Sequence, residues 1–122
     1  MENTTTSTGE LGEELAAQFL AQKGYAILAR RWRLGKNEVD IIARNGQTLV
    51  FVEVKLRKSA QTAAPWQAVN RAKQQAIIRC ADAYLRWHTD GKSEARFDVI
   101  SVTGQPGAYH IEHIERAFYP IA

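Results

Sequence analysis

The chain has 122 residues, of which 45% are hydrophobic and 24% charged, and its formal net charge is +3. This length fits one globular domain, and the fractions are ordinary for a soluble protein. No apolar run reaches the roughly 20 residues that span a bilayer, and the N-terminus lacks the regions of a signal peptide, so we expect a cytoplasmic protein. The modest positive charge fits a polyanionic partner.

The N-terminal part of the chain is predicted to be a tail followed by a helix. Residues 1–8 form a polar, Thr-rich segment that we expect to be disordered, and residues 9–122 are predicted to form one domain. Ser7 begins a capping-box pattern, and the helix that follows is predicted to run to about Lys23, where Gly24 stops it.

Glu13 lies at the edge of the apolar stripe of this first helix. On a helical wheel it falls between Leu20 and Ala17, so its carboxylate is expected to be only partly solvated. It is either an acidic ligand of a metal site or a boundary glutamate whose stem covers apolar surface.

A strand over residues 25–32 is predicted to precede a β-hairpin. Two alternating apolar segments, residues 38–43 and 48–55, flank Asn45-Gly46, which is a strong hairpin signal. With Arg44 paired to Gln47, Glu38 stands opposite Glu53. Asp40 and Glu53 then become diagonal neighbours, roughly 7 to 8 Å apart.

Side chains alternate between the two faces of a strand, so this register predicts which residues share a surface. One face is predicted to carry Glu38, Asp40, Phe51, Glu53 and Lys55, and the other Val39, Ile41, Val50, Val52 and Val54.

The first of these faces has the residues that a metal-dependent phosphodiesterase needs. A hard cation such as Mg²⁺ takes one or two protein carboxylates plus water and substrate phosphate, which Asp40 and Glu53 can complement. A lysine beside it, here Lys55, can hold a phosphate or the attacking water. The alternative is an amphipathic hairpin whose charged face is simply solvated.

A long helix is predicted from Pro65 to about His88, because small and apolar residues recur on one stripe. Cys80, the single cysteine, falls on that stripe and is expected to be a buried core residue. Trp87 is also expected in the core. Lys73 and Gln74 either reach the acidic edge of the sheet or are exposed helix residues.

Two further strands, residues 96–102 and 109–114, are predicted to pair antiparallel. His110 and His113 fall on opposite faces of the last strand, which argues against a joint zinc site. The element order predicts an α/β fold with a mixed central sheet of about five strands and two main helices, in the order α-β-β-β-α-β-β.

Basic residues bracket the acidic segment at both ends. Arg31, Arg33 and Lys36 precede it, and Arg57 follows it. The phosphates of a nucleic acid could pair with these basic residues on both sides of the acidic segment. The alternative is a set of ordinary solvated cations at strand ends.

Several of these segments together resemble a known family. They are Gly12-Glu13, Ala16-Ala17, Phe19-Leu20, Gly24-Tyr25, Glu38-Val39-Asp40-Ile41-Ile42-Ala43, Leu49-Val50-Phe51-Val52-Glu53-Val54-Lys55, Lys73-Gln74 and Arg96-Phe97-Asp98-Val99. From about residue 9 to residue 103, the chain resembles the small bacterial YraN-type family. That family is identified as a member of the PD-(D/E)XK nuclease superfamily and is similar to archaeal Holliday-junction resolvases.

The resemblance implies a restriction-endonuclease-like core and a nuclease that acts on DNA, on branched or structured DNA in particular. It implies Mg²⁺ or Mn²⁺ as cofactor, held by Asp40, Glu53, the Val54 carbonyl and the supporting carboxylate of Glu13, with Lys55 as the catalytic lysine. It also implies that Lys73 and Gln74 contact phosphate or the active site, and that the protein forms a homodimer. The alternative is a non-catalytic nucleic-acid-binding or protein-interaction module that retains the nuclease fold.

Overall fold

The computed structural model describes residues 8–57, 69–89 and 93–120. These residues form α1 (Thr8–Gln22), β1 (Ala26–Leu34), β2 (Asn37–Asn45), β3 (Thr48–Arg57), α2 (Arg71–His88), β4 (Glu94–Gln105) and β5 (Ala108–Phe118). The predicted order of elements is therefore confirmed. Of the predicted N-terminal tail, only Thr8 falls within the described residues, where it opens α1.

All five strands join in one sheet in the order β1-β2-β3-β4-β5. The β3–β4 pair is parallel, and the other three pairs are antiparallel, as predicted for β4 and β5. A parallel pair needs a crossover connection, and α2 lies in the segment that joins β3 to β4. The sheet is therefore mixed, as the sequence predicted.

The two helices pack against opposite faces of this sheet. On the α1 side the buried core contains Ala16, Ala17, Leu20, Tyr25, Ile41, Ala43, Val50, Val52, Ile100 and Val102. On the α2 side it includes Val39, Ile42, Leu49, Phe51, Ile77, Cys80, Ala81, Tyr84, Phe97, Val99 and Phe118. Because both faces of the β2–β3 hairpin are buried, the alternative of a solvated charged face is wrong.

The hairpin itself is confirmed, but its register differs by two residues from the predicted one. Asn45 pairs with Thr48, so Gly46 and Gln47 form the loop. Gly46 has a φ of +64°, which fits the glycine preference at the first loop position of a type II′ turn. Because a shift of two preserves the side-chain alternation, Asp40 and Glu53 still share a side of the hairpin.

The predicted alternation fails at one place on β2. Val39 packs in the core on the α2 side together with Ile42, although alternation places it with Ile41. The neighbouring strand is irregular here, because Arg31 of β1 has a φ of +52° and falls between the paired residues Arg30 and Trp32. The face that Val39 occupies is therefore a correction to the predicted alternation.

The helix ends follow local capping chemistry. Gly24, with a φ of +94°, ends α1 as predicted. At the start of α2, the side chain of Asn70 accepts a hydrogen bond from the Lys73 backbone amide (2.8 Å). The helix therefore begins at Arg71, later than predicted, and Pro65 lies outside the described residues. Among the described residues, no helix combines the length and apolar character needed to cross a membrane.

Two predictions about single side chains of α2 have opposite outcomes. Cys80 is fully buried, as predicted. Trp87 was predicted in the core but is 60% exposed. Its ring lies 6.1 Å from that of Trp32, at the outer rim of the α2 core. Cys80 and Ala83 on the same predicted stripe are buried, but the last turn of α2 leaves most of the Trp87 side chain exposed.

A matched pair of glycines in the β4–β5 hairpin allows a test of this turn. Gly104 has a φ of +122°, and a Cβ atom there would collide with the Ala108 carbonyl oxygen, whereas Gly107 has a φ of +84° and open space. We expect Gly107→Ala to cost about 1 kcal/mol through backbone strain alone. Gly104→Ala is expected to cost at least about 2 kcal/mol, because backbone atoms must also move. Denaturant unfolding measures the loss of stability in each variant, and equal losses in the two variants would contradict this expectation.

Candidate active site

Two buried carboxylates lie side by side where β2 and β3 meet. Asp40 is 9% exposed and Glu53 is 4% exposed. Continuing the observed pairing of Ile41 with Val52 by one residue sets Asp40 directly opposite Glu53, closer than the predicted diagonal. The Val54 backbone amide donates a hydrogen bond to Oδ2 of Asp40 (2.8 Å), which fixes one oxygen of the pair.

The proximity of the two acids changes the protonation of Asp40. Burial raises its pKa, and so does the negative charge of Glu53, while the Val54 hydrogen bond and Lys73 act in the opposite direction. The net effect raises the pKa of Asp40 to about 7. At neutral pH the pair therefore holds a proton for much of the time and would gain from a cation between the two carboxylates.

Two lysines approach Glu53 from different elements. Nζ of Lys55, on the same strand, lies 3.6 Å from Oε2, and Nζ of Lys73, on α2, lies 3.8 Å from Oε1. The buried Oε1 atom nevertheless has no hydrogen-bond partner. A buried carboxylate oxygen without a partner is costly, and it is available to an added ligand.

Glu13 is the third acidic residue of the predicted set, and it projects from α1. Gly12 allows the close approach of the helix, because a Cβ atom there would stand 3.1 Å from Cβ of Leu56. The structure buries Glu13 to 7% exposure, more than the sequence predicted. Nε of Arg31 donates a hydrogen bond to its Oε1 (2.7 Å). Burial raises the pKa of Glu13 despite this hydrogen bond, and the charge of Asp40 raises it further.

Of the predicted metal ligands, Asp40 and Glu53 thus form a pair, and Glu13 pairs with Arg31 instead. Among residues 8–57, 69–89 and 93–120, no three His, Cys, Asp or Glu side chains form a group that could hold a metal ion. Asp40 and Glu53 by themselves fit a hard divalent cation, which needs only one or two protein carboxylates. The oxygen of Glu53 without a partner and the proton held by Asp40 support this fit. Val54, whose carbonyl the resemblance implies as a further ligand, lies on β3 between Glu53 and Lys55.

The residues predicted to contact nucleic acid fall into two groups. Arg31 and Lys73 lie at the acidic residues, where they pair with Glu13 and Glu53, respectively. The side-chain amide of Gln74 donates a hydrogen bond to the Val69 carbonyl oxygen (3.0 Å) at the start of α2.

The remaining three cations lie away from the two carboxylates. Arg33 pairs with Glu38 through Nε (3.1 Å). Lys36 is exposed in the turn between β1 and β2, and Arg57 ends β3 with a buried Nε that has no hydrogen-bond partner.

Sequence reasoning missed a second buried charged cluster, on the α1 side of β4. Asp98 is fully buried and accepts hydrogen bonds from Arg96, from His113 and from the Arg116 backbone amide. Arg96 in turn donates to the Tyr25 hydroxyl (2.7 Å). Burial alone would raise the pKa of Asp98, but these hydrogen bonds lower it below its ordinary value. An aspartate inside an apolar strand was the available signal, since such a group needs partners.

The two histidines of β5 have different surroundings. His113 is engaged by Asp98 (2.7 Å) in the interior, whereas His110 is exposed. They do not share a site, as their spacing predicted.

The fold and the acidic pair together define the class of protein. A mixed five-stranded sheet with one helix on each face carries Asp40 on β2 and Glu53-Val54-Lys55 on β3. This is the arrangement of the PD-(D/E)XK nuclease-like superfamily, as the sequence resemblance indicated.

Comparison with known proteins gives the family. The family described as "Uncharacterised protein family UPF0102" matches residues 12–102, and this chain belongs to it. A UPF0102 protein of Chlorobium chlorochromatii is 45% identical over 123 residues, which cover 96% of this chain and 95% of the relative. Similar proteins of the same name occur in Phocaeicola vulgatus (45% identical, covering 92% of each chain) and in Chlorobium limicola (40%, covering 98% and 97%). UPF0102 is the YraN family, so the recognition made from the sequence is confirmed.

Proposed function

We propose that this protein is a nuclease that uses a divalent metal ion, Mg²⁺ or Mn²⁺, to hydrolyse phosphodiester bonds in DNA. The observation that carries the proposal is the buried pair of Asp40 and Glu53, with a carboxylate oxygen that has no hydrogen-bond partner and two lysines within 4.0 Å of Glu53. A protein with no ligand for this site would keep two desolvated acids together at a cost in stability.

Asp40 and Glu53 would hold the metal, and the Val54 carbonyl is a further candidate ligand. A bound divalent cation supplies Lewis-acid polarisation of the scissile phosphate and makes water more acidic. The Val54 amide keeps one Asp40 oxygen in place through its hydrogen bond (2.8 Å). The other Asp40 oxygen and Oε1 of Glu53, which has no hydrogen-bond partner, would then be the candidate ligand atoms.

The two lysines would act on the phosphate and the attacking water. Lys55 lies beside Glu53 (3.6 Å) and is partly exposed, so its ammonium group can orient a water molecule or offset charge that develops on the phosphate. Lys73 approaches the other oxygen of Glu53 from α2 (3.8 Å) and can contact a phosphate there. Arg31, Arg33, Lys36 and Arg57 are candidates for contacts to the rest of the nucleic-acid backbone.

Cleavage assays on plasmid, linear and four-way-junction DNA, with Mg²⁺ or Mn²⁺, test the proposal. We expect Asp40→Ala and Lys55→Ala each to lower the cleavage rate at least about 100-fold, because each removes a group that acts on the transition state. Arg86→Ala is the matched control, since Arg86 is an exposed cation of α2 far along the helix from Lys73. The preferred substrate among the three DNA forms would show whether branched structure is recognised.

Equal cleavage by the wild type, Asp40→Ala and Lys55→Ala would contradict the proposed site and point to a contaminating nuclease. Calorimetry distinguishes the non-catalytic alternative. Salt-sensitive DNA binding without any Mg²⁺ or Mn²⁺ binding would favour a nucleic-acid-binding module that retains the fold.

A further inference from the structure

Arg31 occupies an unusual position between the first helix and the acidic pair. Its Nε binds Oε1 of Glu13 (2.7 Å), and its Nη1 lies 3.4 Å from a carboxylate oxygen of Glu10. The Arg31 side chain is 39% exposed, whereas that of Glu13 is 10% exposed. The arginine therefore joins a buried acid to the solvent-exposed surface of the protein.

The backbone of Arg31 is also strained. Its φ of +52° lies in the left-handed region, which an arginine rarely adopts and which costs about 1 to 2 kcal/mol. On β1, the neighbours of Arg31 are Arg30, which pairs with Ile41, and Trp32, which pairs with Val39. Arg31 therefore lies opposite Asp40 of β2. Strain of this kind persists where the surrounding structure holds it in place, and it is concentrated at functional sites.

Building on the proposed nuclease function, we infer that Arg31 holds Glu13 out of the metal site until a phosphate of bound nucleic acid competes for the guanidinium group. Glu13 then joins Asp40 and Glu53 as the third carboxylate. In the present arrangement the acids do not form a three-ligand group within the described residues, and Arg31 is the residue that engages Glu13.

Replacing Glu13 by a DNA phosphate on Arg31 exchanges one anion for another at the guanidinium group. A guanidinium group binds carboxylate and phosphate in the same bidentate manner, so a DNA phosphate is a direct competitor of Glu13 for Arg31. Once released, Glu13 would be a buried carboxylate without its cation, and a divalent metal is the natural replacement. Substrate binding and full metal binding would thus favour each other, as linked equilibria require.

Titration of the full chain with Mn²⁺ in the absence of nucleic acid tests this inference. We expect Arg31→Gly to bind Mn²⁺ about tenfold more tightly than the wild type, which is the scale on which neighbours of metal ligands alter affinity. Glycine and asparagine tolerate a positive φ, so Arg31→Asn serves as a second variant that removes the same cation without breaking the strand. Adding Glu13→Gln to Arg31→Gly should return the affinity to the wild-type value.

Arg30→Ala is the matched control. It removes an arginine from the next position and breaks the 2.7 Å pair with Glu14, but leaves Arg31 and Glu13 intact. Its Mn²⁺ affinity should therefore equal that of the wild type. A tenfold gain in this control as well would attribute the effect to net charge and overturn the inference.

The outcomes separate the inference from the proposed function. Mn²⁺ affinities that are equal in the wild type, Arg31→Gly and Arg31→Asn would overturn the role of Arg31 while leaving the Asp40–Glu53 site in place. Absence of Mn²⁺ binding in every variant would instead contradict the proposed function itself. DNA binding in EDTA gives a second readout: Arg31→Gly should reduce the slope of log affinity against log salt by about 1, and an unchanged slope would overturn the phosphate exchange.

Discussion

Replacing Asp40 by asparagine is expected to eliminate Mn²⁺ binding and DNA cleavage while raising the free energy of unfolding at pH 8. The loss of activity follows because a neutral amide cannot replace the carboxylate of a divalent-metal site. The gain in stability follows because Asp40 is ionised at a cost beside Glu53 in the folded protein.

The sign of the pH dependence comes from the two pKa values of Asp40. Its ordinary value is 3.8, and folding raises it to about 7, so between these values the folded state binds more protons than the unfolded state. Stability therefore falls as pH rises from about 4 to about 7, and the cost is fully present above pH 7. This difference between the folded and unfolded pKa of Asp40 lowers the free energy of unfolding above pH 7 by at most about 4 kcal/mol.

Asparagine at this position keeps the local hydrogen bonds. Its carbonyl oxygen can still accept from the Val54 amide, and its NH₂ group can donate to Oε1 of Glu53, which lacks a partner. In EDTA, the stability advantage of Asp40→Asn over the wild type should be about 2 kcal/mol larger at pH 8 than at pH 5.

Denaturant unfolding at the two pH values measures this difference, with Asp82→Asn as control. Asp82 is exposed on α2, so the same chemical change there should alter stability by less than about 0.5 kcal/mol at either pH. An advantage of Asp40→Asn that does not change between pH 5 and pH 8 would show that Asp40 titrates normally. Adding Mn²⁺ should raise the melting temperature of the wild type but not that of Asp40→Asn.

Local sequence signals predicted the parts of the site that depend on strand alternation. The Asn45-Gly46 turn and the spacing of Asp40 from Glu53 placed both acids on one side of a hairpin. The true turn uses Gly46 and Gln47, because glycine suits the positive φ of the first loop position. The resulting shift of two residues left Asp40 and Glu53 on one side of the hairpin, so an error in register did not become an error in the site.

Contacts between distant parts of the chain were not predictable in this way. The helical wheel placed Glu13 at a boundary, but its pairing with Arg31 depends on a left-handed residue in β1 that no local pattern indicates. The side of the sheet on which Val39 packs also differs from the predicted alternation. Asp98 has an apolar sequence neighbourhood. Its partner His113, and the Tyr25 hydroxyl that accepts from Arg96, lie far away in the sequence and meet it only in the folded sheet.

The Asp98 cluster carries the second large expected effect: Asp98→Asn should lower the free energy of unfolding by about 3 to 5 kcal/mol at pH 7. The substitution removes the buried counter-charge of the Arg96 guanidinium group, which is 7% exposed, and leaves it the more distant and exposed carboxylate of Glu115 (3.7 Å). Nε and Nη2 of Arg96 both donate to Asp98, so the NH₂ group of an asparagine must face other donors or give up one of these hydrogen bonds.

His113 strengthens the same expectation. The Lys23 ammonium group lies 2.8 Å from Nδ1 of His113 and can only donate, so Nδ1 accepts and the hydrogen on Nε2 is donated to Asp98. The carboxylate thus accepts hydrogen bonds from two side chains and from the Arg116 amide. An asparagine has one acceptor oxygen for these donors, and the rest lose their partner in the interior.

The pH dependence of Asp98 has the opposite sign to that of Asp40. Hydrogen bonds lower the pKa of Asp98 below 3.8, so its stabilising contribution is present above that pH and is lost as pH falls through the folded-state value. Unfolding of Asp98→Asn and of the exposed control Asp82→Asn should therefore differ most at neutral pH, and the gap should narrow in acid. A loss below about 1 kcal/mol at pH 7 would show that solvent or a rearranged side chain compensates the buried arginine, and would contradict this expectation.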